Sequence, residues 1–186
     1  MVTGWLLTLL WALYWLAWGV FALINGEKNK RVSNALAYLG MFILVFIVAS
    51  SESEIKAHSP LNFLPSYLFL TIIGFVFIAA GFAFTFWARV IMGRNWSGDV
   101  ELVQEHKLII AGPYKIVRHP IYAGIFLAFI GTVLILVDLT GLVLLFLFIY
   151  FFTVKSVREE KLLMNQYGEE YLQYKKRIRM FIPYIF

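Results

Sequence analysis

Residues 120–154 contain one charge, Asp138, in a stretch of 35 residues. A helix rising about 1.5 Å per residue needs roughly 20 residues to cross a hydrocarbon core, so the run is too long for one crossing. Asp138-Leu139-Thr140-Gly141 supplies turn chemistry in its middle. The stretch therefore reads as a tight helical hairpin, Ile121–Val137 and Leu142–Val154, with Asp138 as a turn and cap residue at its tip.

Other segments extend the pattern. Trp5–Ile24 runs 20 residues without a charge, and its tryptophans (Trp5, Trp11, Trp15, Trp18) form a packing or lipid-facing stripe. No basic segment precedes it, so it reads as a retained span and not a cleaved leader. Asn34–Ala49 is a second, shorter span. Ser50–Pro65 is a polar loop outside the bilayer, and Ser66–Ala88 is a third span. Gly74 and Gly81 share a face of that helix and would admit another helix closely. The chain is 61% hydrophobic and 15% charged, against about 25% charged for an ordinary soluble domain. The expected fold is thus all-α integral membrane: five transmembrane helices, the last two a hairpin, plus cytoplasmic C-terminal helices. A single membrane domain covers 1–186. Residues 1–65 hold two spans, and 66–186 hold three spans with a loop, 89–120, and a tail, 155–186. The sequence has no cysteine, which excludes disulfides, thiol catalysis and cysteine metal sites.

The net charge of +5 belongs with anionic lipid on the cytoplasmic side, not with nucleic acid. Basic residues set the orientation. Lys28, Lys30 and Arg31 follow the first span, and Arg89, Arg94, Lys107, Lys115 and Arg118 follow the third. Lys155, Arg158, Lys161, Lys175, Lys176, Arg177 and Arg179 fill the tail. Those segments are expected to be cytoplasmic, with the N-terminus outside. The Asn95-Trp96-Ser97 sequon then faces the cytoplasm and is not a glycosylation site.

The chemistry concentrates in the loop and the tail. Gly112-Pro113 is a turn, and Pro120 places His119 at the mouth of the fourth span. Backbone N–H groups there, with Arg118, would make an anion site. Tyr114 and Tyr122 offer aromatic faces to a ring or a cation. The tail reads as an amphipathic helix from Lys155 to Gln166, capped by Gly168, and then a short helix with Glu169 and Glu170 in its first turn. As a bare pattern it fits a helix lying on anionic headgroups equally well. His58 reads as polar loop. His106 and His119 lack nearby partners, so no metal is expected.

The ordered series Asn95-Trp96-Ser97, His106-Lys107-Leu108-Ile109, Gly112-Pro113-Tyr114, Arg118-His119-Pro120-Ile121-Tyr122-Ala123-Gly124, Glu159-Glu160, Gly168-Glu169-Glu170-Tyr171 and Pro183 resembles the isoprenylcysteine carboxyl methyltransferase family. The resemblance covers residues 93–186. It implies a membrane methyltransferase using S-adenosyl-L-methionine. It also implies a cofactor pocket lined by His106, Lys107, Leu108, Ile109, Tyr114, His119, Pro120, Ile121, Tyr122 and Glu159. The family's substrate-contacting Arg, one turn before that Glu, is Lys155 here, which keeps the charge but not the bidentate fork. Lys155, Glu159 and Arg118 are the expected catalytic residues.

The leading expectation is carboxyl O-methylation of an isoprenylated cysteine or a similar lipophilic acceptor at the membrane lipid. Two alternatives stand beside it: N-methylation of a phospholipid amine or S-methylation of a small thiol, and a non-catalytic membrane subunit.

Overall fold

The computed structural model describes residues 2–24, 68–93, 108–137 and 139–183. The expected second span, the Ser50–Pro65 loop with His58, the Asn95 sequon and Asp138 lie outside the described residues. Within them are five α-helices: α1 Val2–Ile24, α2 Leu68–Met92, α3 Pro120–Leu136, α4 Leu139–Tyr167 and α5 Glu169–Arg177. A single 3-10 turn, Gly112–Lys115, precedes α3. Helices α1, α2 and α4 are long and apolar enough to cross a membrane, and α3 is a shorter apolar helix.

Between helices in lipid the hydrophobic drive is weak, so close packing must hold them together. Helices α2 and α3 achieve it with paired glycines. A Cβ on Gly74 would sit 2.6 Å from the Gly131 carbonyl oxygen, and one on Gly124 would sit 2.6 Å from that of Gly81. The pairing 74 with 131 and 81 with 124 makes the two helices antiparallel. The expected small-residue face on the third span is therefore a helix–helix contact, and its partner is α3.

Helix α1 packs on this pair through Leu7, Trp11, Tyr14 and Trp18, all buried. Tyr14 stacks on Phe82 at 4.3 Å, and Trp11 meets Phe82 and Phe129 edge-on at 5.1 and 5.8 Å. The Trp11 indole donates to Thr132 Oγ1 at 3.1 Å. The tryptophan stripe is thus a packing face for Trp11 and Trp18, while Trp5 points outward.

Three boundaries differ from the sequence expectation. Helix α2 continues past Ala88 to Met92. Arg89 does not end it, because its side chain is buried, donates to the Gly93 carbonyl at 2.8 Å and lies 5.8 Å over the Trp18 ring. The expected turn at 138–141 is shorter: Val137 closes α3 in the left-handed region (φ 50°) and α4 already begins at Leu139. Finally, α4 does not break at Lys155. No glycine or proline interrupts residues 142–167, so the apolar span and the polar tail helix form one rod. It ends as expected at Gly168 (φ 51°), whose N–H bonds the Met164 carbonyl at 2.9 Å.

Candidate active site

The site forms where the turn before α3 meets the polar half of α4. Pro120 occupies the first turn of α3, where a missing N–H costs nothing. His119 precedes it and Tyr122 follows within one turn. Their rings lie nearly parallel, 9° apart, with centroids 5.7 Å apart. Helix α4 runs antiparallel to α3 and brings Phe152 edge-on to Tyr122 at 4.7 Å. One turn further along α4 stand Lys155, whose Nζ lies 5.7 Å over the Tyr122 ring, and then Glu159. The Tyr122 hydroxyl donates to Glu159 Oε1 at 2.6 Å. Tyr122, His119, Lys155 and Glu159 are therefore brought together.

The His119 ring sits between two carboxylates. Its Nδ1 is 3.5 Å from Glu159 Oε2, and its Nε2 is 3.3 Å from Glu160 Oε1. Only the imidazolium presents a proton on both nitrogens. Burial opposes that charge, but hydrogen bonding to Glu159 and Glu160 outweighs it and holds the pKa above the ordinary 6.5.

Other expected residues take distinct places. Leu108 is half-buried, and Ile109 packs against the aromatic core with buried Ile121. Pro120 is fully buried. Tyr114 is buried too. Its hydroxyl lies 3.5 Å from Met92 Sδ, and its carbonyl accepts from the Tyr174 hydroxyl at 2.7 Å. Burial, then Tyr174, hold it far above the ordinary tyrosine range despite nearby Arg89, and Glu159 adds to the effect. Arg158 is exposed, turned from the site as its helical position requires. His106 and Lys107 lie outside the described residues.

The expected anion site at the mouth of α3 is corrected. The Arg118 and His119 N–H groups are already bonded to the carbonyls of Arg179 (2.8 Å) and Met180 (3.1 Å). The Arg118 side chain is directed to Glu160 Oε1 at 2.7 Å and to the carbonyls of Lys175 and Ile178. The C-terminal segment folds back on this turn, and that long-range pairing occupies the Arg118 guanidinium and the Arg118 and His119 amides.

Sequence reasoning assigned no site role to Glu160, Lys175 or Phe181. Glu160 is 3% exposed and also accepts from Lys175 Nζ at 2.7 Å. Phe181 closes over His119 at 5.9 Å and Phe126 at 5.0 Å. The paired acids Glu159-Glu160 were a visible signal for the first, whereas nothing local marks Phe181.

What stays partly open at the site is the Glu159 carboxylate and the Tyr122 ring, while His119 is buried. Glu159 keeps 22% of its side chain exposed, beside the flat faces of His119 and Tyr122. One turn before Glu160, the Ser156 hydroxyl is fully buried with no hydrogen-bond partner among the described residues. A carboxylate rimmed by rings suits a cationic ligand with an aromatic group.

Residues 71–166 match the model of the isoprenylcysteine carboxyl methyltransferase (ICMT) family. The chain belongs to this family. It is 30% identical to a probable protein-S-isoprenylcysteine O-methyltransferase of Oryza sativa subsp. japonica, over 88% of this chain and 86% of that one. It is 32% identical to the protein-S-isoprenylcysteine O-methyltransferase of Saccharomyces cerevisiae, over 88% of this chain and 66% of the relative. The fold is similar to a solved eukaryotic intramembrane Ras methyltransferase, itself an isoprenylcysteine carboxyl methyltransferase. That likeness has a TM-score of 0.73 at 24% identity, and it covers 95% of this chain and 64% of that one. An integral membrane methyltransferase is therefore the class of this ICMT-family chain, and its relatives support carboxyl O-methylation over the amine and thiol readings.

Proposed function

We propose that this chain methylates the carboxylate of an isoprenylated cysteine, or of a similar lipophilic acceptor, with S-adenosyl-L-methionine as methyl donor. The convergence of Glu159, Tyr122, His119 and Lys155 on one face carries this reading. When bound, S-adenosyl-L-methionine supplies an electrophilic methyl group on a sulfonium. The residues present fit such a cation: Glu159 offers the charge and the half-buried Tyr122 an aromatic ring, with the buried His119 ring behind them. The family resemblance adds Tyr114, Leu108, Ile109, Pro120 and Ile121 to the wall; it names His106 and Lys107 too, which lie outside the described residues.

Lys155 is the group for the acceptor's carboxylate. That carboxylate is already ionised at neutral pH, so the site needs no general base. What it must do is orient the acceptor and exclude water. Arg118, expected among the catalytic residues, acts here through its hold on Glu160.

The same reading sets the cofactor side in the cytoplasm and the N-terminus outside, as the basic residues suggest. Helices α1 and α2 run parallel, with Leu7 beside Ile78 and Trp18 beside Phe86. That direction is compatible with the five-span count that includes Asn34–Ala49, and with α3 and α4 as a transmembrane hairpin.

The test is transfer of labelled methyl from S-adenosyl-L-methionine to a farnesyl-cysteine analogue, beside phosphatidylethanolamine and simple thiols. At saturating S-adenosyl-L-methionine, an acceptor carboxylate predicts little rate change above about pH 6, whereas an amine acceptor predicts a rate rising with pH. Turnover confined to the amine or the thiol would replace the proposal.

A further inference from the structure

Adjacent residues Glu159 and Glu160 point about 100° apart on α4, and their surroundings differ in kind. Glu159 is partly exposed and accepts one hydroxyl. Glu160 is enclosed by three cationic groups drawn from two other parts of the chain. Arg118 Nε and His119 Nε2 approach its Oε1 at 2.7 and 3.3 Å, and Lys175 Nζ approaches its Oε2 at 2.7 Å. Little acceptor capacity is left for a ligand.

Those contacts also tie the tail down. Arg118 passes from Glu160 to the carbonyls of Lys175 and Ile178 at the end of α5. Val117 and Arg179 form a parallel bridge beside it. The Arg118 and His119 amides bond the carbonyls of Arg179 and Met180, and the Tyr174 hydroxyl bonds the carbonyl of Tyr114. The tail in turn delivers Phe181 onto the His119 ring.

We infer that Glu160 is a positioning residue for methyl transfer: with Arg118 and Lys175 it clasps the 178–181 segment to the turn before α3 and so aims His119 and Glu159 at the cofactor. This rests on the cofactor reading given above. The charged and titratable groups facing His119 are Glu159 and Glu160 of α4 and Tyr122 of α3; behind these stand Arg118, Lys175, Tyr171 and Tyr174 at Glu160 and Lys155 at Tyr122.

The experiment uses the full chain in detergent, with wild type, Glu160→Gln, Glu160→Asp and Lys175→Gln. S-adenosyl-L-methionine binding is measured by calorimetry across pH, and the KM for a farnesyl-cysteine analogue by labelled transfer. Loss of a buried charge-assisted contact should weaken cofactor binding about 10-fold in Glu160→Gln. The acceptor KM should move much less, and the pH midpoint of binding should shift toward acid because His119 loses a carboxylate. Glu160→Asp should recover part of the affinity. Lys175 is 43% exposed on its side chain, so its variant is the milder perturbation of the fold: it should weaken cofactor binding less than Glu160→Gln, and its pH midpoint should move the opposite way, toward alkali, because the Glu160–His119 pair loses a neighbouring cation. Wild-type affinity and pH midpoint in the Gln variants, or equal losses for cofactor and acceptor, would overturn the inference. The clasp has a ligand-free readout as well: hydrogen exchange at the Arg118 and His119 amides should accelerate in Lys175→Gln. Unchanged exchange overturns the clasp whatever binds. Absence of cofactor binding by the wild type would instead sink the function reading.

Discussion

The Tyr122 hydroxyl donates to Glu159 Oε1 at 2.6 Å, joining the first turn of α3 to the polar half of α4. The contact fixes one oxygen of Glu159. The carboxylate's other oxygen, Oε2, lies toward His119 Nδ1, and the side chain remains partly open.

Glu159→Gln keeps the shape and can still accept from Tyr122, but it removes the charge. Cofactor affinity should fall about 10- to 100-fold, the range of a charge-assisted hydrogen bond of about 1.5–3 kcal/mol. Tyr122→Phe removes only the hydroxyl and should lose less. Calorimetric titration of both variants checks the order, and a larger loss in Tyr122→Phe would contradict the role given to the Glu159 charge.

Lys155 should separate acceptor from cofactor. Lys155→Met is expected to raise the acceptor KM about 10-fold while cofactor affinity stays near wild type. Lys155→Arg should retain or improve acceptor binding, because the guanidinium forks onto a carboxylate. Steady-state kinetics with a farnesyl-cysteine analogue decides this, and an unchanged KM in Lys155→Met removes Lys155 from the acceptor site.

Stability should depend on His119 with a definite sign. Its folded-state pKa lies above the ordinary 6.5, so folding favours the charged ring. That stabilisation is fully present below about 6.5 and is lost as pH rises through the raised folded value. Thermal unfolding in detergent should show a midpoint falling through this window. His119→Asn should lower and flatten the profile there, and a wild type whose midpoint rises instead would contradict the assignment.

The glycine contacts predict a packing penalty. Gly124→Ala places a Cβ 2.6 Å from the Gly81 carbonyl oxygen and 3.0 Å from the Thr85 nitrogen. Backbone cannot retreat as a side chain can, so about 1–3 kcal/mol of stability should be lost. Gly19→Ala has nothing within 4 Å and should be neutral or better, since alanine favours helix. The unfolding midpoints of the two variants, measured together, check the contrast.

The sequence by itself determined whatever depends on local composition. Long uncharged runs fixed the membrane class, because a charge in hydrocarbon is costly. Gly168 marked the end of α4, since a left-handed residue favours glycine. The motif series also brought Tyr122, His119 and Glu159 into one expected pocket. Tertiary structure alone decided the rest. The face bearing Gly74 and Gly81 could be assigned a partner only once Gly131 and Gly124 lay across it. Helix α2 runs on past Ala88 because buried Arg89 finds the Gly93 carbonyl and the Trp18 ring. Arg118 reads in isolation as an anion ligand, yet Glu160 lies 42 residues along the chain from it and the Ile178 carbonyl 60. No local pattern encodes a contact at that separation. Whether a charge faces a ligand or another part of the fold is settled by which segments return to meet it.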